Sequence, residues 1–253
     1  MNDLKSRTAL ITGASSGLGA RFTRILAARG TKVVLAARRR DRLDDLATQI
    51  RADGGEALAV EMDVVDEASV IAAFDEAELA FGTIDTIIAN AGMNIEGPAV
   101  EVDVAALDQV MAVNVRGVFL TVREGARRLI AAGSKNQGHG RIVIVSSITA
   151  LSVSPGLSLY SASKAAVLQM GKVLARDWAQ KGINVNILCP GYIETDLNSD
   201  WFGTEHGERQ IMKWPRRRLM QANALDGMLL YLASDDSRFV TGSVISVDDG
   251  QTL

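Results

Sequence analysis

Short apolar runs alternate along this chain with longer segments whose apolar positions recur every three or four residues. The runs at 8–12, 32–36, 57–62, 84–89, 141–145, 183–189 and 240–247 are short and apolar on both alternating sets of positions. That is the pattern of strands buried on both faces. Between them lie helix-period segments. The first, 17–29, puts Leu18, Phe22, Ile25 and Leu26 on one face and stops at Gly30. The second, 41–52, turns Leu43, Leu46 and Ile50 inward and stops at Gly54-Gly55; the third, 66–81, stops at Gly82. A long helical stretch, 104–132, carries Asn114 near its middle, and further helices are predicted over 159–180 and 222–233. Strand–helix–strand units repeated in this way predict an α/β fold: a doubly wound, mostly parallel sheet of about seven strands with helices on both faces. There is no composition shift, linker or repeat, so residues 1–253 read as one domain. The least regular stretch, 193–221, follows a strand end, where such sheets bind ligands, and reads as a substrate lid.

Composition adds mainly exclusions. With 47% hydrophobic and 23% charged residues the chain is ordinary for a globular protein. A net charge of −3 gives no basis for nucleic-acid binding by bulk charge. The single cysteine, Cys189, excludes an internal disulfide and fits a reducing compartment. No signal peptide is legible and no uninterrupted apolar run reaches the ~18–20 residues of a membrane span, so a soluble cytoplasmic protein is expected. His139 and His206 are the only imidazoles, and neither sits at metal-ligand spacing; no metal is expected, and a Ser-His-Asp triad is disfavoured.

Chemistry concentrates in five places. The segment Thr12-Gly13-Ala14-Ser15-Ser16-Gly17-Leu18-Gly19 lies between the first strand and first helix. Its glycines let backbone approach a pyrophosphate, and the helix N-terminus offers free N–H donors. The second strand ends not in an acid, which would suit a ribose 2′-hydroxyl, but in Ala37 followed by Arg38, Arg39 and Arg40. A guanidinium can bind a 2′-phosphate, so NADP(H) is expected, with NAD(H) also open; Arg38 is the first candidate and Arg39 the second. Asp63 either accepts from an adenine amino group or caps the following turn. Asn90-Ala91-Gly92 brings a glycine to the path of the adenosine ribose. Finally, Tyr160 and Lys164 are one helical turn apart. A phenol titrates near 10, and a neighbouring ammonium favours the phenolate; the pair is suited to general acid–base work on a carbonyl or hydroxyl.

These motifs, with Asp63-Val64, Asn114, Ser146-Ser147, and Pro190-Gly191 with Thr195, resemble the short-chain dehydrogenase/reductases along nearly the whole chain. The likeness is greatest to the single-domain branch with 3-oxoacyl-carrier-protein reductases and hydroxysteroid dehydrogenases. The resemblance implies that Tyr160 exchanges a proton with the substrate oxygen while hydride moves to or from nicotinamide C4. It implies that Lys164 binds the nicotinamide ribose and depresses the Tyr160 pKa, and that Ser147 polarises the same oxygen. Asn114 would hold a water linking Lys164 to solvent, and Ile193 and Thr195 would position the carboxamide. It also implies a homotetramer or homodimer and a small-molecule carbonyl or alcohol as substrate, expected to be an apolar or amphipathic ketone. Two departures stand out: Ala89 replaces an asparagine frequent in the family, and Ser16 sits where many NADP-dependent relatives have a basic residue. Trp201, Phe202 and Trp214 either line an apolar pocket or anchor the lid. Arg216–Arg218 reads as a solvated or interface cluster, or as a site for a phosphate or carboxylate. Met93, Thr149, Pro155 and Tyr192 fall near the pocket with no assignable role.

Overall fold

The computed structural model describes residues 4–193 and 202–253, so Thr195, Trp201 and part of the expected lid lie outside the described residues. Seven strands form one parallel sheet: β1 (Thr8–Thr12), β2 (Lys32–Ala37), β3 (Ala57–Glu61), β4 (Thr86–Ala89), β5 (Gly140–Val145), β6 (Ile183–Pro190) and β7 (Val244–Val247). Their order is β3-β2-β1-β4-β5-β6-β7. The helices are α1 (Gly17–Ala27), α2 (Arg40–Ala52), α3 (Glu67–Phe81), α4 (Val104–Met111), α5 (Val118–Ala131), α6 (Ser134–Gln137), α7 (Ser158–Trp178), α8 (Glu205–Ile211) and α9 (Asp226–Ala233).

The continuous apolar strands have a direct cause. Successive residues of a strand face opposite sides, and here both sides are covered. Ile11, Leu35, Val143 and Leu188 pack against Phe22, Leu26, Leu43, Leu46, Leu229 and Leu232 of α1, α2 and α9. Their neighbours Leu10, Val34, Ile144 and Val185 face the other way, onto Phe74, Val122, Leu129, Val167 and Leu174 of α3, α5 and α7.

Four local expectations are revised. The long helix over 104–132 is interrupted by a π-helical turn, Ala112–Gly117, which holds Asn114; such single turns are often found at functional sites. The helix as a whole, Val104–Ala131, is long and apolar enough by composition to cross a membrane, although no uninterrupted apolar run reaches that length. Its buried residues include Val118, Leu120, Val122, Ala126 and Leu129, all packed against the sheet. The irregular stretch contains α8, capped by Thr204, whose hydroxyl accepts from Gly207 N. The last strand starts at Val244 rather than 240. Val240 N bonds to Ser237 O, and Gly242, at φ 73°, turns the chain so that its N–H reaches Val185 O. The last helix likewise starts at Asp226, because Ala224 and Asp226 close turns onto Gln221 and Asn223.

At the N-terminal ends of the strands lies a buried ionic cluster that no motif announces. Asp85, 5% exposed, accepts from Arg7 Nη1 (3.2 Å), Thr8 N (3.0 Å) and Thr86 Oγ1 (2.7 Å). Arg141, 1% exposed, donates to Ser234 O (3.2 Å), Gly138 O (3.1 Å) and Asp235 (3.2 Å), and Arg7 reaches Asp235 and His139 O. Burial, reinforced by the Arg7 charge, pushes the Arg141 guanidinium down to about 10. Removing one member leaves the others buried without a counter-charge. Asp85→Ala is therefore expected to lower stability by about 3 kcal/mol, read from the midpoint of urea unfolding, while cofactor binding at the opposite sheet edge is retained.

Candidate active site

The site is built on the C-terminal ends of the strands, around the point where the order reverses between β1 and β4. Thr12, the last residue of β1, ties the two strands together. Its hydroxyl accepts from Asn90 N and Ala91 N, both at 3.0 Å, and its carbonyl accepts from Asn90 Nδ2 at 2.9 Å. Asn90 is thereby committed to bracing the glycine loop. At Gly19 a Cβ would stand 2.2 Å from Gly13 O, and at Gly13, with φ 68°, a Cβ would stand 2.9 Å from Ala91 Cα. No side chain fits at either position. The loop passes under a space in which Gly17 has nothing within 4 Å of a Cβ. A cradle of bare backbone closed beneath and open above, at the start of α1, fits a dinucleotide pyrophosphate.

At the end of β2 the two candidate arginines take different paths. Arg39 folds back over the loop, its Nη2 donating to Ser15 Oγ (2.8 Å) and Ser16 Oγ (2.9 Å). Arg38 is exposed and, among the described residues, has no hydrogen-bond or ion-pair partner. The basic group that the sequence lacks at Ser16 is thus brought there in space by Arg39. Asp63 caps its turn: Oδ1 accepts from Val65 N at 3.2 Å, while its own N–H donates to Ser69 Oγ at 2.9 Å. Val64 is buried against Gly117 of the π-turn. That packing ties the β3 end to the helix carrying Asn114.

Ser147, Tyr160, Lys164 and Asn114 do converge. Ser147 follows β5 and caps a single 3-10 turn, its Oγ accepting from Thr149 N at 3.2 Å. The Tyr160 phenol, on the neighbouring helix α7, is near enough for Ser147 to oppose the rise of its pKa. Lys164 is 3% exposed; its Nζ donates to Val145 O at 2.9 Å and lies 5.5 Å from the Tyr160 ring centre. A Cβ at Gly92 would sit 3.3 Å from Lys164 Nζ and 3.4 Å from Asn114 Oδ1, so ammonium and carboxamide flank the same residue. Asn114 is fully buried. Its Oδ1 accepts from Met93 N (2.8 Å), and its Nδ2 donates to Met93 O and Ser163 Oγ, both at 2.9 Å. The amide donors are saturated, leaving one lone pair on Oδ1 for a water. Ser163 in turn donates to Tyr160 O at 2.7 Å. Asn114 therefore braces both the β4 loop and the tyrosine turn.

The electrostatics differ from the expectation that Lys164 draws the phenol down. Although the Tyr160 side chain keeps part of its surface open, desolvation dominates at the hydroxyl. Within the chain alone the phenol is pushed up to about 12, with Ser147 opposing and Tyr192 adding to the rise. Burial also lowers Lys164 to about 8, only partly offset by Cys189 beneath it. Burial likewise pushes the Cys189 thiol up.

The structure gives contacts to residues that the sequence placed near the pocket without a role. Tyr192 stacks on Trp214 (5.3 Å between ring centres, 22° between planes) and meets the edge of Phe202 (5.7 Å, 78°). Its hydroxyl lies 3.3 Å from Ser154 Oγ. Phe202 and Trp214 are buried, so they both line and anchor this wall. Pro190 ends β6, Gly191 N bonds to Val247 O, and Ile193 pairs with Met220. Arg216 and Arg218 both meet Asp249. Sequence reasoning missed Ser163, whose place three residues after Tyr160 could have revealed it, and Ser154, Asp249 and Gln251, which no spacing marked.

With fold and geometry in hand, comparison with known proteins gives a consistent result. The family model for short chain dehydrogenase matches residues 7–206. The chain is 39% identical over 249 residues to cis-4-hydroxycyclohexanecarboxylate dehydrogenase of Sinomonas cyclohexanicum, covering 97% of this chain and 96% of that protein. It is 35% identical over 254 residues to the NADP-dependent (R)-specific alcohol dehydrogenase of Lentilactobacillus kefiri, covering 98% of each. A crystal structure of gluconate 5-dehydrogenase from Burkholderia cenocepacia with NADP and tartrate superposes with a TM-score of 0.92 at 35% identity, over 98% of this chain and 96% of that one. This chain belongs to the short-chain dehydrogenase/reductase family. It is an oxidoreductase whose family binds a nicotinamide dinucleotide and a small-molecule substrate.

The buried lysine makes a pH prediction. Its folded pKa, about 8, lies below the ordinary value of 10.5. Between these values the unfolded chain holds the proton and the folded chain does not, so stability rises with pH. Relative to Lys164→Met, the parent chain should gain about 2–3 kcal/mol of unfolding free energy between pH 8 and 10, measured by denaturant titration at the two pH values.

Proposed function

We propose that the chain is an NADP(H)-linked carbonyl reductase, reversible toward the secondary alcohol, with Tyr160 as general acid and base. One observation carries this reading: Ser147, Tyr160 and Lys164 come from two elements to a single spot beside a loop that only bare backbone can form. A bound nicotinamide dinucleotide supplies or takes a hydride at C4. The chain's own residues do the rest. The backbone of Gly13–Gly19 would hold the pyrophosphate, with Ser15, Ser16 and Leu18 shaping the loop; Ala91 and Gly92 would hold the riboses, and Asp63 and Val64 the adenine. Gly191 and Ile193 would border the carboxamide, together with Thr195, which lies outside the described residues.

A phenol held at about 12 is protonated at neutral pH and so carries the proton a carbonyl oxygen needs; a neighbouring positive charge that lowers its pKa toward the working pH makes it a stronger donor. Ser147 hydrogen-bonds that oxygen and withdraws charge from it. Tyr160 would give its phenolic proton to the oxygen of the carbonyl being reduced. The resulting phenolate is stabilised by Lys164, which carries its proton below about pH 8. The proton is then replaced through Lys164, by a water on the remaining Asn114 lone pair.

The substrate reading is an amphipathic ketone. The Tyr192–Trp214 stack offers an apolar face, and the Ser154–Tyr192 hydroxyl pair offers a polar point for a distal oxygen. A relative that acts on a hydroxycyclohexanecarboxylate fits that pattern.

Two measurements test the proposal. Tyr160→Phe should reduce kcat by roughly a thousandfold while the NADPH Kd stays within about threefold; unchanged turnover would remove Tyr160 from the chemistry. Arg39→Ala should weaken NADPH binding about tenfold and leave NADH nearly unchanged, with a smaller effect from Arg38→Ala. Equal losses for both cofactors in a fluorescence titration would refute 2′-phosphate recognition.

A further inference from the structure

The C-terminal residues carry no motif, yet they brace the substrate wall from behind at two independent points. The first is Gln251. Tyr192 N donates to Gln251 Oε1 at 2.7 Å, and Gln251 Nε2 donates back to Tyr192 O at 3.1 Å, closing a two-bond ring on one backbone unit. Gly191 makes the approach possible, since a Cβ there would stand 2.5 Å from Gln251 Oε1 and 2.8 Å from Asp248 Cα. Asp248 winds the tail into place by accepting from Gly250 N (3.1 Å), Thr252 N (3.2 Å) and Thr252 Oγ1 (2.5 Å).

The second point is Asp249. Its Oδ1 lies 3.3 Å from Arg216 Nε and its Oδ2 2.7 Å from Arg218 Nε, so one carboxylate grips both sides of Arg217. Asp249 (φ 52°) and Arg217 (φ 49°) are the only non-glycine residues with positive φ among the described residues. That conformation is unfavourable for residues with a Cβ and persists where surrounding contacts impose it. Both strained residues belong to this one ionic junction. Arg217 N also bonds to Trp214 O at 3.0 Å, and Trp214 stacks on Tyr192. The junction and the Gln251 ring therefore hold the two stacked aromatics from opposite ends.

We propose that Asp249 and Gln251 are positioning residues for substrate binding: they touch no reacting atom, but hold the Tyr192–Trp214 wall at its distance from Tyr160. This rests on the reading of Tyr160 as the reacting group. A single exposed ion pair would contribute little. Here one carboxylate serves two arginines, its side chain is 17% exposed, and the pairing fixes a strained turn.

The test uses the full chain with saturating NADPH and the best neutral ketone in a series from acetone to acetophenone. Asp249→Asn keeps a residue type that tolerates the left-handed conformation and removes only the charge. It should raise KM about fivefold with kcat within twofold and NADPH Kd unchanged. Gln251→Ala should raise KM similarly and speed hydrogen exchange in the peptide containing Tyr192. The parent's KM should climb toward the Asp249→Asn value as sodium chloride rises to 1 M, whereas the variant's KM should stay flat. That titration needs no variant to fold for the parent arm. A salt-independent parent KM, unmoved KM in both variants, or a loss shared equally by kcat, KM and cofactor Kd would overturn the inference. If Tyr160→Phe keeps its turnover, the underlying reading fails instead; if it loses turnover while these variants leave KM unmoved, only the C-terminal role is wrong.

Discussion

The Thr12 bridge between β1 and β4 is the constraint on which the site depends. At that seam the chain leaves β1 toward one edge of the sheet and β4 toward the other, so a crevice opens between their ends. Unbraced, the two loops above it would be free to part. The three bonds between Thr12 and Asn90-Ala91 close the floor and press Gly13 against Ala91. Everything above that floor is shaped by it. The backbone cradle of the glycine loop, the position of Gly92 and the reach of Lys164 follow from one hydroxyl and one carboxamide at adjacent strand ends.

A second layer of bracing comes from Asn114. Its π-turn sets the carboxamide where it can hold Met93 backbone on one side and Ser163 on the other. Ser163 reaches the Tyr160 carbonyl, so the β4 loop and the start of α7 are joined through a single buried side chain. Ala89, which stands where many relatives have an asparagine, is buried in the core and leaves this linkage intact.

The electrostatic balance is a consequence of the same burial. Desolvation is the largest influence on both titrating groups, raising Tyr160 against Ser147 and lowering Lys164 against Cys189. Each group is thereby moved toward its neutral form. The sheet's other end shows the opposite solution. Arg7, Asp85 and Arg141 are buried as charges because each finds partners, so this cluster holds strand ends together instead of moving protons.

The alternation of short apolar runs with helix-period segments determined the doubly wound sheet, because strands covered on both faces have no other way to read. The glycine loop and the Tyr160, Lys164 pair were legible for the same kind of local reason: spacing along a turn or helix fixes what those residues can reach. Other features were decided only by tertiary structure. Position along the chain ranks Arg38 before Arg39, and only the folded path shows Arg39 turning over Ser15 and Ser16. The rise of the Tyr160 pKa depends on how closely other elements pack around the hydroxyl, which no spacing encodes. The roles of Gln251 and Asp249 arise from contacts across 59 and about 31–33 residues of chain. Periodicity and short motifs report on neighbours within a turn or two; pairings at such separations exist only once the sheet has brought the strand ends together.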